Sequence, residues 1–205
     1  MESTDFNQQL NQSFENMNGF FSEIASLLRD CDRLMGESRY TTFNGNTAVY
    51  EQSRSLLNPE SWIPSYFCRA YALEQEIEGT EPDQILFISL FLRYGGGCKD
   101  VKMQENVPLI VAGIIVPHNP KSFKFEGWLS KKWFWVDKPE EKNRLNDEIS
   151  KIRDFLDIPI GHYNNSKSII TFAFPLEKVK STIELKENII DKLINCTKNL
   201  QDIPV

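Results

Sequence analysis

The sequence predicts an α+β domain: a long N-terminal amphipathic helix, a mostly antiparallel central sheet of about five to seven strands, and two further helices toward the C-terminus. Three observations lead there. Leu10, Phe14, Met17, Phe21, Ile24, Leu28, Cys31 and Met35 recur in alternating steps of four and three residues, which is a heptad seam on a helix. Two near-continuous apolar runs, 85–92 and 108–116, are rich in β-branched and aromatic residues and are bounded by glycine and proline, as central strands covered on both faces are. Ser181-Thr182-Ile183-Glu184 has the capping-box spacing ahead of Leu185, Ile189, Ile190, Leu193 and Ile194, which form one apolar face of a closing helix.

The elements follow in order. Phe20, Leu27 and Leu34 add a second row beside the seam, so the first helix has more to bury than a two-stranded coil needs, and Gly36 supplies a C-terminal cap. Tyr40-Thr41-Thr42-Phe43 and Thr47-Ala48-Val49-Tyr50 flank Asn44-Gly45-Asn46, which predicts an exposed edge hairpin. Asn58-Pro59-Glu60 starts a short helical turn that Pro64 ends. From Ser65 to Leu73 the chain alternates as a strand, with Phe67, Arg69, Tyr71 and Leu73 on one face and Tyr66, Cys68, Ala70 and Ala72 on the other. Glu74, Glu76, Glu78, Glu81 and Asp83 then make a solvated acidic connection. Beyond Pro117-His118-Asn119-Pro120, residues 123–136 predict one or two further antiparallel strands. Asp137 and Pro139 open a helix with the buried line Leu145, Ile149, Ile152 and Leu156, ending near Asp157 and Pro159, and Ser168 to Phe174 is the last strand. The organisation is thus residues 1–36 as the helix, docked on the sheet or presented to a partner, and 37–205 as a single α+β domain.

Composition bounds the setting. The chain is 40% hydrophobic and 25% charged, and no apolar run approaches the roughly 20 residues of a membrane span, so no membrane partner is expected. The acidic N-terminus lacks the apolar core of a secretory signal, and Cys31, Cys68, Cys98 and Cys196 are scattered without a C-x-x-C pair; both point to reduced thiols in a cytosolic protein. Net charge is −6, unevenly spread: residues 1–83 hold 14 acids and 5 bases, whereas 84–136 hold 3 acids and 7 bases. The two regions either neutralise each other in the fold or leave a basic part for an anionic partner.

Chemistry-bearing motifs are weak. Gly95-Gly96-Gly97-Cys98-Lys99 suggests a phosphate loop, but Asp100 follows the lysine where such a loop needs Ser or Thr, so a flexible connection is favoured. His118 and His162 have no metal-ligand spacing, and Cys98 with a distant histidine is a combination that any such composition offers. Glu140-Glu141-Lys142 and Glu184-Leu185-Lys186 match the E-x-K of two-metal nucleases, yet both lie on expected helices, away from a strand-end acid; Asp83, Glu126 and Asp137 are the carboxylates nearest strand ends. No cofactor or metal is implied.

Two functional readings remain. The first is a non-enzymatic cytosolic adaptor or regulatory module that binds a protein partner or itself, through a sheet edge or through the helix residues Leu10, Phe14, Met17, Phe21, Ile24, Leu28 and Met35. The alternative is a nucleotide- or nucleic-acid-binding protein, including a hydrolase or nuclease, in which Arg93, Lys99, Lys124, Lys131 and Lys132 contact phosphate beside Trp128, Trp133 and Trp135 as stacking surfaces. Tryptophans on strands more often anchor cores or protein interfaces, which favours the first.

Overall fold

The structure is a computed structural model that describes residues 3–43, 45–50, 56–57, 62–64, 66–79, 82–92, 108–117, 156–158 and 166–201. Helix α1 (Ser3–Glu37) is followed by β1 (Tyr40–Thr42), β2 (Tyr66–Leu73), a short helix α2 (Glu74–Gly79), β3 (Ile85–Phe91), β4 (Leu109–Pro117), β5 (Leu156–Ile158) and β6 (Ser166–Pro175). A closing helix α3 (residues 182–201) is α-helical over Thr182–Leu185, π-helical over Lys186–Ile190 and α-helical again over Asp191–Gln201. The class is α+β, as expected.

Among the described residues six strands form one sheet in the order β1-β2-β3-β4-β6-β5, and each neighbouring pair is antiparallel. The two apolar runs are central neighbours, with Ile88 opposite Ala112 and Leu90 opposite Ile110. Side chains alternate across a strand, and the register shows how both faces are filled. Tyr71, Leu86, Ile88, Leu90, Ile110, Ile114, Phe172 and Phe174 join one core with Ile24, Leu28, Cys31, Leu34 and Met35 of α1 and Leu185, Ile189, Ile190, Leu193 and Cys196 of α3. On the opposite face Cys68, Ala70, Ile85, Phe87, Leu109 and Ile115 are equally buried. Two polar contacts tie α3 to its neighbours: the Thr182 hydroxyl donates to Asp30 Oδ2 at 3.4 Å and the Tyr40 hydroxyl to Thr197 Oγ1 at 3.4 Å.

The capping box of α3 forms with one change. Ser181 Oγ accepts from the Glu184 amide at 3.2 Å, whereas the Glu184 carboxylate reaches back to the Lys180 amide at 2.7 Å, one residue further than the usual return bond. The π segment has a packing purpose. Leu185, Ile189 and Leu193 are fully buried and spaced four apart; on an ideal α-helix each such step drifts by about 40°. A wider turn between them cancels the drift and keeps all three on the sheet, and Lys186 Nζ then meets the Asp191 carboxylate at 2.5 Å across five positions.

Several expected boundaries are corrected. The segments around Asn44-Gly45-Asn46 are not hairpin partners: residues 40–43 pair with β2 from Leu73 to Ala70, and Val49 then bridges Cys68 further along the same strand. They succeed each other along one edge, and the chain between them loops outward. Gly36 lies inside the last turn of α1 instead of capping it; the left-handed residue is Arg39, φ 65°. Its amide donates to the Gly36 carbonyl at 3.0 Å, and its own carbonyl accepts from the Glu74 amide at 3.1 Å. The acidic connection coils into α2 instead of forming a simple turn, with Glu74 and Glu76 at the helix N-terminus where negative charge is favourable. Leu156-Asp157-Ile158 is strand and not the end of a helix, since the residue before Pro159 is biased to extended backbone and the segment pairs with β6. The expected turn at 58–60, the strands within 123–136 and the helix from Asp137 to Leu145, Ile149 and Ile152 lie outside the described residues.

Arg39 yields a first prediction. A non-glycine residue in the left-handed region costs about 1 kcal/mol, so Arg39→Gly is expected to raise the unfolding free energy by up to about 1 kcal/mol, less the extra chain entropy of glycine. Urea titration of the two proteins checks it; a lower midpoint for the glycine variant would count against the strain.

Candidate functional site

Helix α1 is one seam with two environments. From Ile24 onward its apolar residues are core: Ile24 is 7% exposed, Leu28 6%, and Cys31 and Met35 are fully buried. Toward the N-terminus the same seam faces water, with Leu10 42% and Phe14 56% exposed and Met17 and Phe21 half-buried, and beside it Phe6 is 57% and Phe20 41% exposed. Of the expected partner-binding residues, Leu10, Phe14, Met17 and Phe21 therefore remain at the surface. Met35 is consumed by the chain's own core, and Ile24 and Leu28 keep only an edge toward solvent.

That edge opens into a cleft of about 740 Å³. One wall is α1, through Phe21, Ile24, Ala25, Leu28, Arg29 and Asp32; the other is the outward loop, through Asn46, Ala48 and Tyr50, with Pro64. Phe67 and Arg69 of β2 form the floor. On that floor Phe67 meets Phe21 edge-on at 6.0 Å and Tyr50 at 5.8 Å between ring centroids, an aromatic group of the kind that anchors interfaces.

The inner end is polar. Arg69 shares a strand face with Phe67 and Tyr71, and its side chain is only 4% exposed, so its charge needs partners. Its Nε donates to Asp32 Oδ1 at 3.0 Å and its Nη2 to Asp32 Oδ2 at 2.6 Å, a two-pronged pair with α1. Nη2 also donates to the Gly45 carbonyl at 2.7 Å and Nη1 to the Thr47 carbonyl, so the guanidinium fastens the outward loop. The Tyr71 hydroxyl completes the set by donating to Asp32 Oδ1 at 2.8 Å. Burial works against the Arg69 cation, but the hydrogen bond and charge of Asp32 outweigh it and hold the group above its ordinary range. The Tyr71 phenol is pushed well above its ordinary value by burial, with Cys31 and Asp32 adding to it. Arg69 and Tyr71 thus keep their protons near neutral pH, and the group acts as a clamp that joins helix, strand and loop.

Sequence reasoning missed this clamp. Arg69 was legible as a charge on a strand face that otherwise buries Phe67 and Tyr71, and that is the signal; a buried cation requires a buried acid. Its partner sits on a different element, 37 positions away.

The thiols are sealed. Cys31, Cys68 and Cys196 are buried thiols outside any disulfide. Burial raises the Cys31 thiol, reinforced by Asp32 and Asp30, and burial raises that of Cys68. These two and Tyr71 hold their protons in the fold while the unfolded chain releases them, from about pH 8.5 for cysteine and about pH 10 for tyrosine. A raised folded value means stability that is whole below those pH values and lost as pH rises above them, by up to about 1.4 kcal/mol per pH unit for each ionised group. Urea midpoints are therefore expected to fall steeply between pH 8 and pH 11. A Cys31→Ala, Cys68→Ala protein should show a shallower fall; an unchanged slope would contradict the assignment.

The residues of the anionic-partner reading, Arg93, Lys99, Lys124, Lys131, Lys132, Trp128, Trp133 and Trp135, lie outside the described residues, as do Glu126 and Asp137. Asp83 is exposed beside α2, where burial first and then the Asp83 charge raise the Glu76 carboxyl. Among the described residues no group of three or more His, Cys, Asp or Glu could hold a metal ion, and no helix is long and apolar enough to cross a membrane. Comparison of the chain with protein-family models, with curated proteins and with solved structures finds no match in any of the three.

Proposed function

We propose that this protein is a binding module, an adaptor acting in the cytosol, that receives a partner helix along the N-terminal half of α1 and in the cleft at its foot. One observation carries the reading: a heptad seam that is core from Ile24 onward continues into water as Leu10 and Phe14, with Phe6 and Phe20 beside it, each more than 40% exposed. Contiguous apolar surface of this kind marks interaction sites, and an amphipathic helix laid against an apolar groove is a recurrent mode of recognition. An isolated helix of fewer than about 15 residues is marginal in water; the half that leaves the domain gains from any partner that covers its seam. Buried thiols outside any disulfide support a reducing setting.

The test is photo-cross-linking in the native host, with a benzophenone amino acid replacing Phe14 in the full chain. A discrete adduct to a polypeptide is expected, and it should vanish when Leu10→Asp is added. Absence of any protein adduct would overturn the reading. Because Leu10 is 42% exposed, the aspartate variant should keep its unfolding midpoint, which separates lost binding from lost fold.

A further inference from the structure

We infer that the cleft between α1 and the outward loop binds a small aromatic carboxylate, with its ring among Phe21, Tyr50 and Phe67 and its acid group held by Arg29 and Arg69. This goes beyond the binding-module reading and is tested apart from it, since Leu10, Phe14, Met17 and Phe20 do not line the cleft.

The first argument is a donor left over. A guanidinium carries five N–H groups. Four of those on Arg69 are engaged, two by the oxygens of Asp32 and one each by the Gly45 and Thr47 carbonyls. The fifth, on Nη1, has no acceptor among the described residues, although the side chain is only 4% exposed and lines the cleft. An unsatisfied donor on a buried cation is costly, and an acceptor brought in by a ligand removes that cost.

Charge supplies the second argument. The ionised groups lining the cleft are two cations, Arg29 and Arg69, and one anion, Asp32, within a region, residues 1–83, that holds 14 acids and 5 bases. Asp32 is already taken: Oδ1 accepts from Arg69 Nε and the Tyr71 hydroxyl, and Oδ2 from Arg69 Nη2. Arg29 is exposed and makes no ion pair among the described residues. It stands three positions before Asp32 on α1, and residues at that spacing are neighbours on a helix, so Arg29 lies along the wall beside the clamp. One carboxylate accepts from both guanidinium groups. A cationic ligand would instead meet two arginines and a spent acid.

Shape supplies the third. The volume of about 740 Å³ falls in the range of small-molecule sites, roughly 300–1,000 Å³. Ala25 on one wall and Ala48 on the other leave the width open. Phe67 lies at 72° to Phe21 and at 43° to Tyr50, and Tyr50 is 51% exposed. The three rings are not stacked on one another, so they keep faces and edges for a further ring in the tilted contacts that aromatic groups favour.

The experiment is titration of the isotope-labelled full chain with phenylacetate, followed through the backbone amide NMR signals, beside phenylacetamide, which has the same shape without the charge. Phenylacetate is expected to bind with a Kd on the order of 1 mM, as a ligand of its size can, and to shift the amides of Ala25, Arg29, Ala48 and Arg69. The amide should bind about tenfold more weakly. Arg29→Gln and Tyr50→Ala should each weaken phenylacetate by about fivefold or more. Both positions are exposed, so the urea midpoints should stay in place. Arg33→Gln, at an exposed position that does not line the cleft, should leave binding unchanged. Equal affinity for the acid and the amide overturns the inference. So does the absence of saturable binding by about 20 mM, or binding that neither Arg29→Gln nor Tyr50→Ala weakens; the cleft then holds water only. The Phe14 benzophenone adduct decides the binding-module reading on its own, whichever way the titration falls.

Discussion

Replacing Arg69 with alanine is expected to lower the unfolding free energy by about 3–5 kcal/mol, a large share of the 5–15 kcal/mol typical of a domain. The change removes four hydrogen bonds at once, two to Asp32 and one each to the Gly45 and Thr47 carbonyls. It also leaves the Asp32 carboxylate, only 31% exposed, without its cation. Desolvation of the stranded acid, more than the lost attraction, makes the effect large. A companion protein tests that cause. Asp32→Leu with Arg69→Met and Tyr71→Phe replaces the whole group by apolar side chains of similar bulk, so most of the loss should return. Urea unfolding of wild type, single and triple variants reads both outcomes. If the triple variant is no more stable than Arg69→Ala, the stranded acid is not the cause and the network contributes more than charge pairing.

Deleting residues 1–36 is expected to unfold the protein, whereas deleting residues 1–20 should leave it folded. The longer deletion removes Ile24, Leu28, Cys31, Leu34 and Met35, which join the sheet and α3 in one core. At about 1.5–3 kcal/mol for each large buried side chain, that exceeds the stability such a domain has to spare. The shorter deletion removes Phe6, Leu10, Phe14 and Phe20, whose side chains are largely in water. Met35→Ala alone should cost about 2–5 kcal/mol, since Met35 is fully buried. Circular dichroism melts of the three proteins give the answer. A cooperative melt from the longer deletion would show that the sheet can stand without the helix.

How much of this was legible in the sequence depended on the range of the cause. Local periodicity predicted α1, the central pair β3 and β4, the two faces of β2 and the cap of α3, because burial imposes its period wherever an element packs along its length. Gly36 and Asn44-Gly45 misled for a common reason: a short-range turn signal was overridden by partners elsewhere. The loop around Gly45 follows the Arg69 guanidinium, and the left-handed position after α1 falls at Arg39, where its carbonyl meets the Glu74 amide. The seam of α1 was read in full, but the point where it stops being core and becomes free surface was not. Phe14 and Leu28 occupy equivalent heptad positions, and only the finite width of the sheet tells them apart. Asp32 was invisible as a partner because nothing in a helix announces which strand residue will meet it.

The sheet's borders also restrict how the molecule can assemble. Among the described residues it starts at β1 and finishes at β5, each only three residues long. On the β1 side the chain leaves the ladder after Phe43 and rejoins it at Val49, so the outer rim offers a broken row of amides and carbonyls. A visiting strand would find too few consecutive hydrogen-bonding groups to register against, which is how native sheets escape end-to-end stacking. Backbone-templated growth into fibrils or ribbons is thereby discouraged at both described margins.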